Sequence, residues 1–112
     1  MQYTPKFLVA ALLTLALAAP VALAASRASV TTTPSRASVG KQIQMLVKGM
    51  KPTEKITAVE NAPFGQSRTL HYRAGHTGAL LLKVRAQVRG KHRWTFTGKS
   101  SHRVAKTVYY VR

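Results

Sequence analysis

Apolar and polar residues alternate along residues 79–89, and this pattern constrains the fold more than any other feature of the sequence. Successive side chains of a β-strand point to opposite faces, so the alternation is typical of a strand with one buried and one solvated face. The buried face is expected to carry Leu80, Leu82, Val84, Ala86 and Val88. The opposite face is expected to carry Leu81, Lys83, Arg85, Gln87 and Arg89.

Other segments show the same period or the residue types of strands, and glycine- or proline-containing turns separate them. These further predicted strands are residues 28–33, 41–48, 55–60, 67–73, 92–97 and 103–111. No segment after residue 25 shows a helical period longer than two turns. Seven short strands separated by turns predict an antiparallel β-sandwich of about seven strands, with a small closed barrel as the alternative.

The N-terminus has the layout of a secretory signal peptide. Lys6 precedes an uncharged run over residues 7–19, and Pro20 and an Ala-Leu-Ala segment at 22–24 follow. We therefore predict cleavage after Ala24, a domain over residues 25–112, and a secreted or periplasmic location. The alternative is a retained membrane anchor, but the run of 13 residues is short of the roughly 20 that cross a bilayer.

Charge is the most unusual feature of the composition. The chain has 18 Lys and Arg against 2 acidic residues, Glu54 and Glu60, which gives a formal net charge of +16. Two carboxylates leave little for hydrolytic, metal-dependent or acid/base catalysis. The chain also lacks cysteine, so the stability of the domain must come from packing without disulfides.

The turns and strands of the predicted domain follow a particular order of residues. Pro34 follows the first strand, Gly40 precedes the second, and these are followed by the turn at 49–54, the turn at 75–78 and the aromatic pair Trp94 and Phe96. In this order the domain resembles the bacterial immunoglobulin-like domains of extracellular and cell-wall proteins. The resemblance implies an immunoglobulin-like sandwich that serves as a spacer or binding module. Gly75 stands where relatives carry an acidic residue, so a calcium site is not carried over.

The remaining candidate chemical groups favour a structural role. The histidines, at positions 71, 76, 92 and 102, have no spacing typical of a metal site. We predict no catalytic residues, no metal and no cofactor, and hence no enzyme. Trp94 and Phe96 are expected in the core rather than on a stacking platform. Tyr109 and Tyr110 are expected to point to opposite faces, one buried and one exposed.

Basic residues carry the functional signal of the sequence. The predicted polyanion-binding residues are Lys83, Arg85, Arg89, Lys91, Arg93 and Lys106. Lys83, Arg85 and Arg89 are expected on one outward strand face. Such a charge excess attracts polyanions through counterion release with little sequence selectivity, so no sequence-specific nucleic acid is expected. The candidate partners are anionic polysaccharide, lipopolysaccharide, anionic membrane surfaces and extracellular DNA.

One other class of function fits the same residues. The chain is alternatively a small structural or partner-binding envelope subunit that docks on an acidic protein by a strand edge or an apolar patch. A cationic antimicrobial protein or toxin is a weaker alternative, because no segment after residue 25 forms an amphipathic helix. The sequence does not indicate an oligomeric state.

Overall fold

A computed structural model describes residues 27–112, and the predicted signal peptide lies outside the described residues. The strands are β1 (Ser29–Thr33), β2 (Arg36–Ala37), β3 (Gln42–Lys48), β4 (Lys55–Asn61), β5 (Ser67–Arg73), β6 (Leu80–Arg85), β7 (Gly90–Gly98) and β8 (Val104–Val111). Each of the predicted strands is confirmed. The structure adds the two-residue β2 and a short 3₁₀ turn at Pro63–Gly65. Among residues 27–112, no helix has the length and apolar character needed to cross a membrane.

The described strands form two sheets. One has three strands in the order β1-β3-β6, and the other has five in the order β2-β8-β7-β4-β5. Neighbouring strands are antiparallel, except that β2 runs parallel to β8. The chain passes from the first sheet to the second at Pro34, between β1 and β2. This arrangement confirms the predicted immunoglobulin-like β-sandwich, and the alternative of a closed barrel is wrong because the sheets do not join.

The core lies between the two sheets and follows the predicted alternation. Its largest fully buried side chains are Trp94, Phe96, Ile43, Met45, Ile56 and Val47. Trp94 and Phe96 stack with their ring centroids 5.9 Å apart, so both rings pack in the core as predicted. Tyr109 is buried and Tyr110 is exposed, which confirms that the tyrosine pair points to opposite faces.

Strand β6 is shorter than the predicted segment. It ends at Arg85, whereas the alternation predicted a strand as far as Arg89. The chain leaves β6 in the three-stranded sheet and begins β7 in the five-stranded sheet at Gly90, so it must cross the space of about 10 Å between the sheets. Arg89 lies in this connection. The prediction that Arg89 shares a strand face with Lys83 and Arg85 is therefore wrong.

Candidate polyanion-binding surface

Both acidic side chains of the chain are buried. Glu54 has a relative exposure of 6% and Glu60 of 5%. Residues 27–112 contain 17 Lys and Arg, which is the total of 18 less Lys6, and all are exposed except the half-buried Arg103. The exposed side chains of the described residues therefore carry positive charges and no carboxylate.

Glu54 joins two turns at one end of the sandwich. Its carboxylate accepts hydrogen bonds from the Lys51 N–H in the β3–β4 turn and from the N–H and hydroxyl groups of Ser100 and Ser101 in the β7–β8 turn. The shortest contact with a serine is 2.8 Å, from Ser101 Oγ to Glu54 Oε2. Burial by itself raises the pKa of Glu54, but these hydrogen bonds outweigh it and lower the pKa to about 2. The ionised carboxylate is thus fully occupied as a structural link.

Gly98 packs closely beside this carboxylate. A Cβ atom at Gly98 would lie 2.5 Å from Glu54 Oε1 and 2.6 Å from Ser101 Oγ, which is closer than a carbon atom can approach either oxygen. The glycine that ends β7 therefore allows the turn to close over Glu54.

Glu60 lies at the opposite end of the sandwich, among charged and aromatic groups. Arg68 Nε donates to Glu60 Oε1 at 2.7 Å, and His92 Nδ1 lies 2.9 Å from Glu60 Oε2. The Tyr109 hydroxyl donates to the same oxygen at 3.3 Å, and the His92 ring stacks on the Tyr109 ring with centroids 4.8 Å apart. Burial raises the pKa of Tyr109 to about 12, and the negative charge of Glu60 acts in the same direction.

The polar groups around Glu60 are hydrogen-bonded to one another. His92 Nε2 lies 2.7 Å from the Val88 carbonyl, which can only accept, so this nitrogen carries a hydrogen. The buried His92 thus has a hydrogen-bond partner at each ring nitrogen. Among the described residues, Arg68 is the one exposed cation that forms an ion pair. A cavity of about 440 Å³ adjoins this network, and Arg85 also lines it. Within residues 27–112, no group of three or more potential metal-binding side chains comes together.

The predicted polyanion-binding residues are divided between the two faces of the sandwich. Lys83 and Arg85 lie on the exposed face of β6, in the three-stranded sheet. Lys91 and Arg93 lie on the exposed face of β7 and Lys106 on that of β8, in the five-stranded sheet. Arg93 pairs with Val108, and Thr95 pairs with Lys106, so Arg93 and Lys106 are diagonal cross-strand neighbours.

Further basic residues share the outer face of the five-stranded sheet and were not predicted as a site. Lys55 on β4 pairs directly with Arg73 on β5, and Lys99 follows β7 at the same end of the sheet. The alternation along residues 67–73 indicates that His71 and Arg73 share a face. The pairing of Arg73 with Lys55 depends on strand register, which the sequence pattern leaves open.

No protein-family model matches the sequence, and no curated protein matches it. Solved structures do share its fold. Macromomycin superposes with a TM-score of 0.58 at 12% identity, covering 76% of this chain and 99% of its own. The superoxide reductase (neelaredoxin) from Ignicoccus hospitalis has a TM-score of 0.52 at 10% identity, and the match covers 77% of this chain and 80% of the reductase. The sulfur carrier protein SoxY from Chlorobium limicola has a TM-score of 0.50 at 13% identity, and the match covers 78% of this chain and 75% of SoxY. At these identities the likeness is one of fold, the immunoglobulin-like β-sandwich.

Proposed function

We propose that this chain is an exported, non-catalytic binding module that contacts anionic envelope or extracellular polymers through its basic surface. The observation that supports this proposal is the burial of Glu54 and Glu60, which leaves the exposed basic side chains of the described residues, apart from Arg68, without an acidic partner. Soluble domains usually carry both signs of charge interspersed on their surface. A surface of one sign attracts polyanions and releases their condensed counterions on contact.

The distribution of the cations favours broad contact over a single specific pocket. Lys83 and Arg85 occupy one face of the sandwich, and Lys91, Arg93 and Lys106 occupy the other. A flexible polymer can contact both faces, and each contact adds a similar increment of affinity. We therefore expect little preference for base or sugar sequence.

The export signal and the family resemblance complete the proposal. A secreted or periplasmic immunoglobulin-like domain of the bacterial envelope type would meet lipopolysaccharide, acidic polysaccharide, extracellular DNA and anionic membrane surfaces. No cofactor enters the proposed activity, because polyanion binding uses only the charges of Lys and Arg side chains.

Replacing four predicted contact residues tests the proposal. The variant Lys83→Ser, Arg85→Ser, Arg89→Ser, Arg93→Ser should bind heparin and duplex DNA more weakly, by about tenfold or more at roughly 0.1 M salt, and with a smaller salt slope. A matched control, Gln42→Ser, Gln44→Ser, Gln87→Ser, changes exposed side chains near Lys83 and Arg85 without changing charge. The control should bind like the wild type. Equal binding by the fourfold variant would contradict the proposal.

A second candidate function is docking on an acidic envelope protein as a structural subunit. Phe64 favours it, because this side chain is 88% exposed in the turn between β4 and β5 and its backbone has a left-handed φ of 64°. An apolar contact of this kind persists when salt is added, whereas polyanion binding weakens. Salt-resistant binding to an acidic protein that is lost in Phe64→Ser would support this second function.

A further inference from the structure

A shallow depression of about 950 Å³ lies on the outer face of the five-stranded sheet, at the end that holds the β7–β8 turn. Five nitrogen-bearing side chains line it: Lys55, His71, Arg73, Lys99 and His102. Thr57 and Thr97 add hydroxyl groups to the lining. Neither of the two glutamates contributes to it. The depression therefore presents hydrogen-bond donors and positive charge to solvent.

Strand register brings these side chains together. Lys55 is paired with Arg73, and Thr57 is paired with His71 on one side and with Thr97 on the other. Directly paired residues have Cβ atoms about 5 Å apart, and like charges at this distance repel each other. Among the described residues, no carboxylate forms an ion pair with Lys55 or Arg73. An anion bound in the depression would relieve that repulsion.

The β7–β8 turn fixes the position of His102. The Lys99 N–H donates to the Lys55 carbonyl at 2.9 Å, and the His102 N–H donates to the Gly98 carbonyl at 3.0 Å. Glu54 holds Ser100 and Ser101 within the same turn. His102 has a left-handed φ of 61°, a conformation that few non-glycine residues adopt. Strained residues of this kind are frequent at ligand-binding sites.

We propose that this depression is a discrete site for a sulfate or phosphate group carried by an anionic polymer. The inference rests on the proposed function, since it specifies where one group of the polymer binds. The guanidinium of Arg73, which also donates to the Thr53 carbonyl at 2.8 Å, would bind the oxyanion together with Lys55 and Lys99.

The two imidazoles add hydrogen-bond donors to the lining. His71 and His102 are both exposed and both line the depression, and an imidazole ring carries at least one N–H group. These donors would supplement Lys55 from β4, Arg73 from β5 and Lys99 from the turn. The lysines and arginines elsewhere on the surface lack such a cluster of neighbouring donors around one depression.

Titration with inorganic sulfate tests the site. Binding is followed by amide chemical shifts at constant pH and constant ionic strength. The test variant is His71→Gln, His102→Asn, since asparagine also tolerates the left-handed conformation. The matched control is His76→Gln, which removes an exposed histidine that does not line the depression.

We expect sulfate to shift the amide signals of Thr57, Thr97 and Lys99. The double variant should bind sulfate about tenfold more weakly, because two donors to the oxyanion are changed, and the control should bind like the wild type. Equal sulfate binding by the double variant, or shifts spread over both sheets, would overturn the inference. In that case, salt-sensitive heparin binding by the wild type would still support the proposed function. A wild type that does not bind heparin would refute both the proposed function and this site. A heparin tetrasaccharide that binds more tightly than free sulfate would identify the natural group as polymer-borne.

Discussion

Replacing Glu54 by glutamine should remove a large part of the stability of this domain at neutral pH. The carboxylate accepts hydrogen bonds from Lys51, Ser100 and Ser101, and a glutamine side chain has a single acceptor oxygen and would point its amide hydrogens at N–H donors. A pKa that falls from 4.5 to about 2 on folding corresponds to about 3 kcal/mol at pH 7. Because Lys51 and Ser100 are exposed, water screens part of this effect, and we expect Glu54→Gln to cost about 2 kcal/mol.

The sign of the pH dependence is fixed by the direction of the change. The pKa of Glu54 is lower in the folded protein than in the unfolded chain, so the stabilisation is complete above about pH 4.5 and is lost as the pH falls towards 2. Urea unfolding, followed by the fluorescence of the single tryptophan, should therefore show the gap between wild type and Glu54→Gln shrinking by roughly half near pH 3.

Ser100→Ala provides a graded control for the Glu54 variant, because it removes one hydroxyl donor, at 3.1 Å, and leaves the backbone donors in place. We expect it to cost about 1 kcal/mol or less. The reasoning would be refuted if Glu54→Gln matched the wild type in stability at pH 7, or if the gap between them stayed constant down to pH 3.

Three further predictions concern the core, a turn and the N-terminus. Trp94→Ala should destabilise the domain by about 3 to 5 kcal/mol, measured by circular dichroism, and the folded wild type should show the blue-shifted emission of a buried indole. Water-exposed emission would contradict this. Gly98→Ala should lower the free energy of unfolding by about 1 to 3 kcal/mol, because the added methyl group would contact Glu54 and Ser101 too closely. An unchanged free energy of unfolding would show that the turn shifts to accommodate the methyl group. The intact mass of the natively expressed protein should correspond to a chain beginning at Ala25. The mass of a chain that still begins at Met1 would disprove cleavage.

The period-two pattern was sufficient to predict the strands and their buried faces. Trp94 and Phe96 lie on the predicted inward side, and Tyr109 is the buried member of the tyrosine pair. The pattern failed where tertiary geometry determines the chain path. Alternation continues to Arg89, but β6 ends at Arg85 because the chain must cross to the other sheet. Strand β2 has only two residues, too few to show any period.

The candidate surface could be predicted only in part. Alternation correctly indicated that Lys83, Arg85 and Arg93 face outward, but it could not show that β6 and β7 belong to different sheets. The burial of both glutamates was also beyond the sequence pattern. Their hydrogen-bond partners, such as Ser101 for Glu54 and His92 for Glu60, lie 47 and 32 residues away along the chain.

The central claim is that this exposed surface binds polyanions by charge alone, and the salt dependence of duplex DNA binding tests it most directly. Affinity is measured at several salt concentrations for two DNA duplexes of unrelated sequence and equal length. The account predicts that the logarithm of the binding constant falls linearly with the logarithm of salt concentration, by about 0.9 for each phosphate neutralised, and equally for both duplexes. Binding that persists unchanged in molar salt, or that discriminates strongly between the duplexes, would contradict it.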